Sequence, residues 1–433
     1  MRYERVKGTV DIFGQDIPYW YFVEQRAIQV ALLFGYKEIR TPVFEQTELF
    51  ARSVGQETDI VQKEMYTFTD KGGRSITLRP EGTAPTIRAF LENSMINLGL
   101  PQRFYYLGPM FRYERPQAGR LRQFHQFGIE LIGSADPAAD VETIQLAKMF
   151  LDSLELKKYK IYINSIGCQE CRRAYKEALR SYYEHHYDHI CDDCKRRFET
   201  NIMRLLDCKV DINVAKQAPK ISDYLCDHCR DHYESIKQML TDLRVDFHED
   251  SSLVRGLDYY TRTVFEIKHE SLGAQSTILA GGRYDGLCKE LGGHDIPSLG
   301  FASGIERLIL AVKAEEIEIP KPPYCDVYIA SIGKQARVKA FQIAQGLRLC
   351  KIPVISDVNS RSLKAQLKHA DKLGAILAII IGENELAQST VQVKNLLTET
   401  QSEVEFDYVV DYVLDLLKVE GRKGRGFREG NNT

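Results

Sequence analysis

The apolar positions of this chain follow two periods, and the switches between them outline its elements. Over residues 15–34, Ile17, Tyr21, Val23, Ile28 and Leu32 recur at helical spacing and predict a long helix. GYKEIRTPVFEQTELF at 35–50 reads as a strand broken by Pro42, a residue that marks a sheet edge. In LRPEGTAP at 78–85, Pro80 and Pro85 bracket a turn that displays Glu81 and Thr83, an acid and a hydroxyl suited to capping a helix. Residues 136–160 are helical again, through Val141, Ile144, Leu146, Met149 and Leu154. LVRGLDYYTRTVFE at 253–266 and AGGRYDGL at 280–287 return to strand chemistry, and GFASGIERL at 300–308 begins a helix after its glycines.

Two stretches stand apart from this frame. From about 166 to 235 the composition changes: seven of the ten cysteines lie here, with His185, His186, His189, His228 and His232. Helical spacing persists through Tyr175, Leu179 and Tyr182 and again through Ile202, Leu205 and Leu206, which predicts a separate helical insertion over 166–235. A boundary falls at Pro320, Pro322 and Pro323. Beyond it come a strand (327–330), a helix (Ala340, Phe341, Ala344, Leu347), a strand (Val354, Ile355), a second helix (Leu363, Leu367, Ala370) and a buried strand (375–381). Two short strands and a last helix (Val409, Val413, Leu416) complete a compact α/β domain over 325–418. The Gly- and Arg-rich residues 419–433 are expected to be a disordered tail.

The most informative stretch is YYLGPMFRYERPQAGRLRQFHQFGIELIG at 105–133, two alternating strands joined by an arginine-rich loop. Arg112 and Glu114 are two apart and share one face of the first strand. The loop adds Arg115, Arg120 and Arg122, with Pro116 and Gly119 as turn residues. On the return strand Phe124, Gln126, Gly128 and Glu130 share a face, opposite Phe127, Ile129 and Leu131. A merely solvated face has no use for Phe124 and Gly128 among its charges. A guanidinium forks onto phosphate oxygens, an aromatic ring stacks on a base, and a carboxylate accepts from an exocyclic amine.

Composition narrows the setting. A chain of 433 residues holds two or three domains, and 27% charged against 44% hydrophobic residues is an ordinary globular balance. The net charge of −2 excludes a globally basic nucleic-acid binder while leaving room for local basic patches. No apolar run approaches ~18 residues, so no membrane span is expected. The opening MRYERVKGTVDIF is charged and lacks an apolar core, so no secretory signal is expected. Ten cysteines without secretory context point to a reducing cytosol.

Neither GxxxxGK[ST] nor a GxGxxG after a strand is present, so phosphates would be held by arginines and bound metal. Arg112, Arg255 and Arg307 are placed for this. Arg255 stands beside Gly256, where backbone and phosphate can approach closely. Tyr260 and Tyr284 add two hydroxyls on aromatic rings, and Glu130 adds an acceptor. Cys168/Cys171, Cys191/Cys194 and Cys226/Cys229 form three CxxC pairs, with Cys208 between. The first two have zinc-ribbon-like spacing, and zinc would staple a small insertion; reduced buried thiols and disulfides are the other readings.

The hairpin at 105–133 resembles motif 2 of the class II aminoacyl-tRNA synthetases, in its histidyl-tRNA synthetase version. The strand bearing Pro42 resembles motif 1, which lies at the family's dimer interface, and GFASGIERL resembles motif 3, whose glycines let ATP lie near the backbone. The segments at 253–266 and 280–287 resemble those particular to histidyl-tRNA synthetases and their close relatives. Similarity to the bacterial type runs from KGTVDIF to the end of the C-terminal domain. It implies an α+β fold: a class II antiparallel sheet flanked by helices (1–165 and 236–320), a Cys-rich helical insertion, and a C-terminal α/β anticodon-binding domain. It also implies a cytoplasmic homodimer that activates L-histidine with ATP, as its Mg2+ complex, and transfers it to tRNA-His. Arg112 and Arg255 would be catalytic, Arg255 standing in for a metal ion used by other class II enzymes. Histidine would be held by Glu81, Thr83, Arg112, Gln126, Glu130, Arg255, Tyr259, Tyr260 and Tyr284. ATP would meet Arg112, Glu114, Arg120, Phe124 and Arg307, and the tRNA acceptor end Gln117 and Arg122. No segment resembles an editing domain, as suits a polar substrate that a hydrogen-bonding site selects unaided. The alternative is the histidine-binding regulatory paralogue of ATP phosphoribosyltransferase. That paralogue lacks the C-terminal domain and often the catalytic residues, whereas Arg112, Arg255, Arg307 and residues 325–418 are all present here.

Overall fold

The computed structural model describes residues 3–55, 58–208, 210–320 and 325–419. Two compact units divide the chain, Met1–Glu318 and Ile319–Thr433. Pro322, Pro323 and the tail from 420 onward lie outside the described residues.

In the first unit, α1 (Ile17–Leu33) opens with Pro18 in its first turn, where a missing N–H costs nothing, and buries Trp20, Val23, Ala27 and Val30. The strand expected over 35–50 is two strands in different sheets. β1 (Lys37–Glu38) pairs with the large sheet, and β2 (Phe44–Gln46), beyond Pro42, joins β3 (Tyr66–Thr69) and β4 (Ser75–Leu78) in a small one. Pro42 has no N–H to continue a ladder, so the chain changes sheets there. α2 (Thr47–Ser53) and α3 (Thr83–Glu92) flank this small sheet.

The hairpin is β5 (Gln102–Phe111) and β6 (Gln123–Ile132), antiparallel with Phe104 opposite Glu130 and Tyr106 opposite Gly128. The first strand stops at Phe111, so Arg112 and Glu114 belong to the loop rather than to the strand as expected. Arg112 N–H still reaches Arg122 O (2.9 Å), but Tyr113 N–H turns away to Glu64 O (2.6 Å), and the ladder opens there. α4 (Pro137–Ser153) is capped by Asp136, which accepts from Ala138 N–H (2.8 Å). It ends before the expected 160: Glu155 takes a left-handed φ of 63°, and β7 (Tyr159–Ser165) follows with its β-branched and aromatic residues.

Next come α5 (Gln169–Glu184), α6 (Asp192–Thr200), α7 (Ile212–Gln217) and α8 (Asp227–Asp242), the last of which continues past 235. β8 (His248–Glu249), β9 (Thr261–His269), β10 (Thr277–Arg283), α9 (Leu287–Glu290), β11 (Ser298–Gly304) and α10 (Ile305–Ala314) complete the unit. Only the latter part of 253–266 is strand; Arg255, Tyr259 and Tyr260 stand on the loop before β9.

The eight-stranded sheet runs β1-β5-β6-β11-β10-β9-β7-β8, antiparallel except at its two edge pairs. One face packs under α1, α4 and α10. There Phe127 is fully buried, its ring 5.0 Å from Phe150 and 5.9 Å from Phe301, a burial that stabilises by roughly 1.5–3 kcal/mol. The other face carries the polar residues of β5 and β6. The insertion is not isolated from it: Tyr175, Leu179 and Phe198 share a continuous core with Tyr259, Tyr260 and Tyr284.

The second unit contains β12 (Val327–Ser331), α11 (Lys334–Leu349), β13 (Val354–Ser356), α12 (Leu363–Lys372), β14 (Leu377–Ile381), α13 (Glu383–Gln388), β15 (Thr390–Asn395), β16 (Gln401–Glu405) and α14 (Val409–Val419). Its sheet, β13-β12-β14-β15-β16, is parallel through β14 and antiparallel beyond. α13 carries no periodic apolar face and buries none of its residues, so hydrophobic spacing does not announce it. No helix among the described residues is long and apolar enough to cross a membrane.

Candidate active site

One end of the polar face gathers arginines. Arg112 Nε donates to Pro80 O (2.9 Å), and its guanidinium lies 5.4 Å from the centre of the Phe124 ring. Arg307, in the first turn of α10, donates to Gly119 O and Thr277 O, both at 2.9 Å. Arg120 pairs with Glu114, and Arg255 with Glu266 on β9 while facing the Tyr260 ring at 5.6 Å. Burial lowers the proton affinity of Arg112 and Arg307; on Arg307 repulsion by Arg120 and Arg112 comes next, and on Arg112 a smaller repulsion by Arg255 acts against the nearby Glu64 and Glu81. Cations held this close by carbonyl oxygens form a preorganised seat for a polyanion.

Along the same face the chemistry reverses. Glu130 is buried, accepting from Thr83 Oγ1 (2.7 Å) and from the Tyr284 hydroxyl. Burial pushes its pKa up to about 8 despite these hydroxyl donors. Gly300 faces it across the β6/β11 ladder, and a Cβ there would collide with the Glu130 carboxylate and the Ile129 carbonyl. That glycine is the reason β11 can pass so close. Glu81 caps α3, its two oxygens accepting from Thr83 N–H (2.7 Å) and Ala84 N–H (2.8 Å). Tyr259, Tyr260 and Tyr284 are buried together, with ring centres 4.7 Å apart for the first two and 5.5 Å for Tyr259 and Tyr284. Between Phe124 and Glu130, Gln126 Oε1 is buried with no hydrogen-bond partner among the described residues.

Gln117 lies exposed at the hairpin tip, bridged through its backbone to Arg120. Arg122 has its guanidinium 3.9 Å from the Tyr113 ring centre and donates to Glu114 O (3.3 Å) and Lys7 O (3.5 Å). It therefore ties the N-terminal segment to the hairpin.

Four contributors escape the sequence reading. Tyr106 stands opposite Gly128, and Cβ atoms at Gly82 or Gly128 would strike its ring; its hydroxyl has no partner of ordinary hydrogen-bond geometry among the described residues. Alternation back from Arg112, together with the glycine across the ladder, could have found it. Glu266 is a lone acid between Phe265 and Ile267, and its role depends on Arg255, distant in sequence. Glu306 accepts from His125 through both backbone N–H and Nδ1 at 3.0 Å, locking β6 to α10. Arg79 is buried with donors on Pro109 O and Thr41 O, both at 2.9 Å, joining the Pro42 segment to β5.

The cysteines group differently from the expected ribbon. The first and third CxxC pairs converge, and the second meets Cys208 and Asp211. The starts of α5 and α8 bring the first and third pairs together, whereas Cys191, 20 residues before Asp211, donates its N–H to Asp211 Oδ2 (3.0 Å).

A largely antiparallel sheet with one polar face, a long arginine-bearing hairpin and a glycine-rich strand leading into an arginine-bearing helix defines the first unit as a class II synthetase catalytic domain. The chain matches the family model described as Histidyl-tRNA synthetase over residues 19–308, and that described as Anticodon binding domain over 326–416. It is 60% identical to the histidine–tRNA ligase of Thermosipho melanesiensis over 94% of this chain and 97% of that one, and 59% identical to that of Thermotoga petrophila over 96% and 99%. The crystal structure of apo S. aureus histidyl-tRNA synthetase superposes with a TM-score of 0.81 at 39% identity, covering 95% of this chain and all of that one. The chain belongs to the histidyl-tRNA synthetase family.

Proposed function

We propose that this chain is a histidine–tRNA ligase, working in the cytoplasm as a homodimer. L-histidine carboxylate attacks the ATP α-phosphate to give histidyl-adenylate and pyrophosphate, and the terminal adenosine hydroxyl of tRNA-His then attacks the adenylate carbonyl. The observation that carries this reading is the adjacency of an arginine cluster and a buried, uncompensated carboxylate on one sheet face. The first suits a Mg2+-bound triphosphate, and the second a side chain that carries protons.

In this reading Arg112 and Arg255 stabilise charge building on the α-phosphate, where fixed donors act most strongly. Arg120 and Arg307 hold the outer phosphates, Phe124 stacks on adenine, and Glu114 accepts from its amine. Glu130, with Tyr259, Tyr260 and Tyr284 around it, takes the imidazole. Its carboxyl oxygens offer acceptors to an imidazole N–H in a site from which water is excluded. Gln126 Oε1, buried without a partner, adds an acceptor, and Glu81, Thr83 and the helix start beside them orient the amino acid's head group. Gln117 and Arg122 face the tRNA acceptor end, and the second unit grips the anticodon arm. Exposed Leu32, Leu33 and Phe44 near the Pro42 segment support the dimer.

Histidine-dependent ATP–pyrophosphate exchange followed by charging of tRNA-His tests the reading. Both are expected; exchange stimulated equally by other amino acids overturns it, and no exchange at all overturns it in favour of the regulatory paralogue.

A further inference from the structure

Three helices of the insertion begin on a Cys-x-x-Cys sequence. Cys168, Cys191 and Cys226 are the N-cap residues of α5, α6 and α8, and Cys171, Cys194 and Cys229 stand in the turns that follow. The first N–H groups of a helix have no intrahelical partner, so each start offers backbone donors beside its cysteines. The path of the chain sorts them into two clusters. Cys168, Cys171, Cys226 and Cys229 converge, their sulfurs all within 4.8 Å of one another. Cys191, Cys194 and Cys208 converge on a carboxylate of Asp211, the N-cap residue of α7, within the same span.

Distances separate the bonding patterns. A disulfide brings sulfurs to about 2.05 Å, whereas a zinc ion with Zn–S of about 2.3 Å sets the corners of its tetrahedron roughly 3.8 Å apart. Cys168 and Cys171 Sγ are 3.5 Å apart, Cys191 and Cys208 Sγ 3.7 Å, and Cys208 Sγ is 3.4 Å from Asp211 Oδ2. All seven are free cysteines. Backbone donors already point at the ligand atoms: Cys226 N–H at Cys171 Sγ (3.1 Å), Asp211 N–H at Cys208 Sγ (3.3 Å) and Cys191 N–H at Asp211 Oδ2 (3.0 Å). Thiols that merely filled a core would not converge in fours, nor draw in a carboxylate.

We propose that the insertion holds two structural zinc ions, one on Cys168, Cys171, Cys226 and Cys229 and one on Cys191, Cys194, Cys208 and Asp211. Closed four-ligand sets of thiolates, with at most one carboxylate, match structural zinc. The first ion ties the chain's entry into the insertion to its exit. Next to it, Gly167 O accepts from Arg262 N–H (2.9 Å), and Arg172 donates to Tyr260 O (2.9 Å). The second closes the lobe 191–211, from which Asn201 Nδ2 reaches Asp258 Oδ1 (2.9 Å). Both staples thereby hold the insertion against the loop bearing Arg255, Tyr259 and Tyr260; that consequence rests on the ligase reading, whereas the metal sites do not.

Untagged full-length protein from zinc-supplied medium should contain two zinc ions per chain by mass spectrometry of the metals, both released on titration with a mercurial. Cys171→Ser should lose one ion and Asp211→Ala the other. Cobalt loading should give strong tetrahedral thiolate absorption, and Asp211→Cys should change it toward two equivalent sites. Zinc near zero with every thiol freely reactive overturns the proposal. So does a single ion that leaves with either variant, or iron in place of zinc. Should Cys171→Ser fail to fold, wild-type stoichiometry and the cobalt spectrum still decide. Metal content of two with no exchange activity would leave the zinc sites standing and sink the ligase reading instead.

Discussion

At one end of the polar face, Arg112, Arg120, Arg255 and Arg307 crowd one another and are held in place chiefly by carbonyl oxygens and two carboxylates. At the other end, Glu130 is buried among hydroxyls, and no cation is hydrogen-bonded to it. An arginine keeps its charge whatever its neighbours, so crowding leaves a standing positive field that an anion relieves. A carboxylate without a cation has a second escape and keeps its proton, which Glu130 does up to about pH 8. The arginine end is therefore set by geometry alone, and the glutamate end by geometry and pH together.

The sharpest break of this contrast is Arg255→Ala. Removing one fixed donor from a developing charge typically lowers the rate by ~100–1000-fold, and the loss should fall on kcat for pyrophosphate exchange, with histidine KM little moved. An unchanged kcat would reduce Arg255 to the partner of Glu266.

Glu130→Gln tests the other end. Histidine KM should rise by ~10–100-fold, on the order of one or two lost charge-assisted hydrogen bonds, while ATP KM stays put. A pH series sharpens it. The unfolded carboxyl titrates near ~4.3 and the folded one at about 8, so between these values the folded state holds the extra proton. Glu130's contribution to stability is thus greatest at low pH and is lost as pH rises through the folded pKa. The variant should flatten that decline in the protein without substrate. If the two proteins lost stability in parallel from pH 5 to 9, Glu130 would be ionised throughout.

How far these two ends were legible differs for a physical reason. Phe124, Gln126 and Glu130 lie on one strand, where alternation fixes a shared face, and Arg112 follows directly after its partner strand. Arg255 with Glu266, and Glu130 with Gly300 and Tyr284, meet only through the order β6-β11-β10-β9, which local periodicity does not encode. The fold was readable where elements are long and periodic, as in α1, β6 and α11. It was misread where a chain reversal depends on a single residue: Pro42 switching sheets, Glu155 closing α4, Tyr113 leaving the ladder. The cysteine clusters failed in the same way, since spacing groups neighbours in sequence and the helix starts group neighbours in space.

Gly300→Ala acts on the glutamate end and on the strand that carries it. Its Cβ would strike the Glu130 carboxylate and the Ile129 carbonyl, and backbone cannot give way as a side-chain tip can. Overpacking of this kind costs about 1–3 kcal/mol, readable in urea unfolding, with histidine KM raised alongside. Wild-type stability with only histidine binding altered would mean that the carboxylate moves and the strand does not.

Tyr106→Phe is the smallest change and separates a binding role from a packing one. The ring lies over Gly82 and Gly128, so phenylalanine preserves every apolar contact and removes only the hydroxyl. That hydroxyl is buried without a well-formed hydrogen bond among the described residues, a condition that costs roughly 1–3 kcal/mol of desolvation. Deleting it should leave the substrate-free protein as stable or more so, by up to ~1 kcal/mol. Histidine KM should nonetheless rise several-fold, because that hydroxyl stands beside Thr83 and Glu130, where a bound imidazole or α-amino group would give it a better partner. Urea unfolding and exchange kinetics read the two effects independently. Falling stability with unchanged KM would make Tyr106 a packing residue, and the histidine end would then be built by Glu130, Thr83 and the three tyrosines alone.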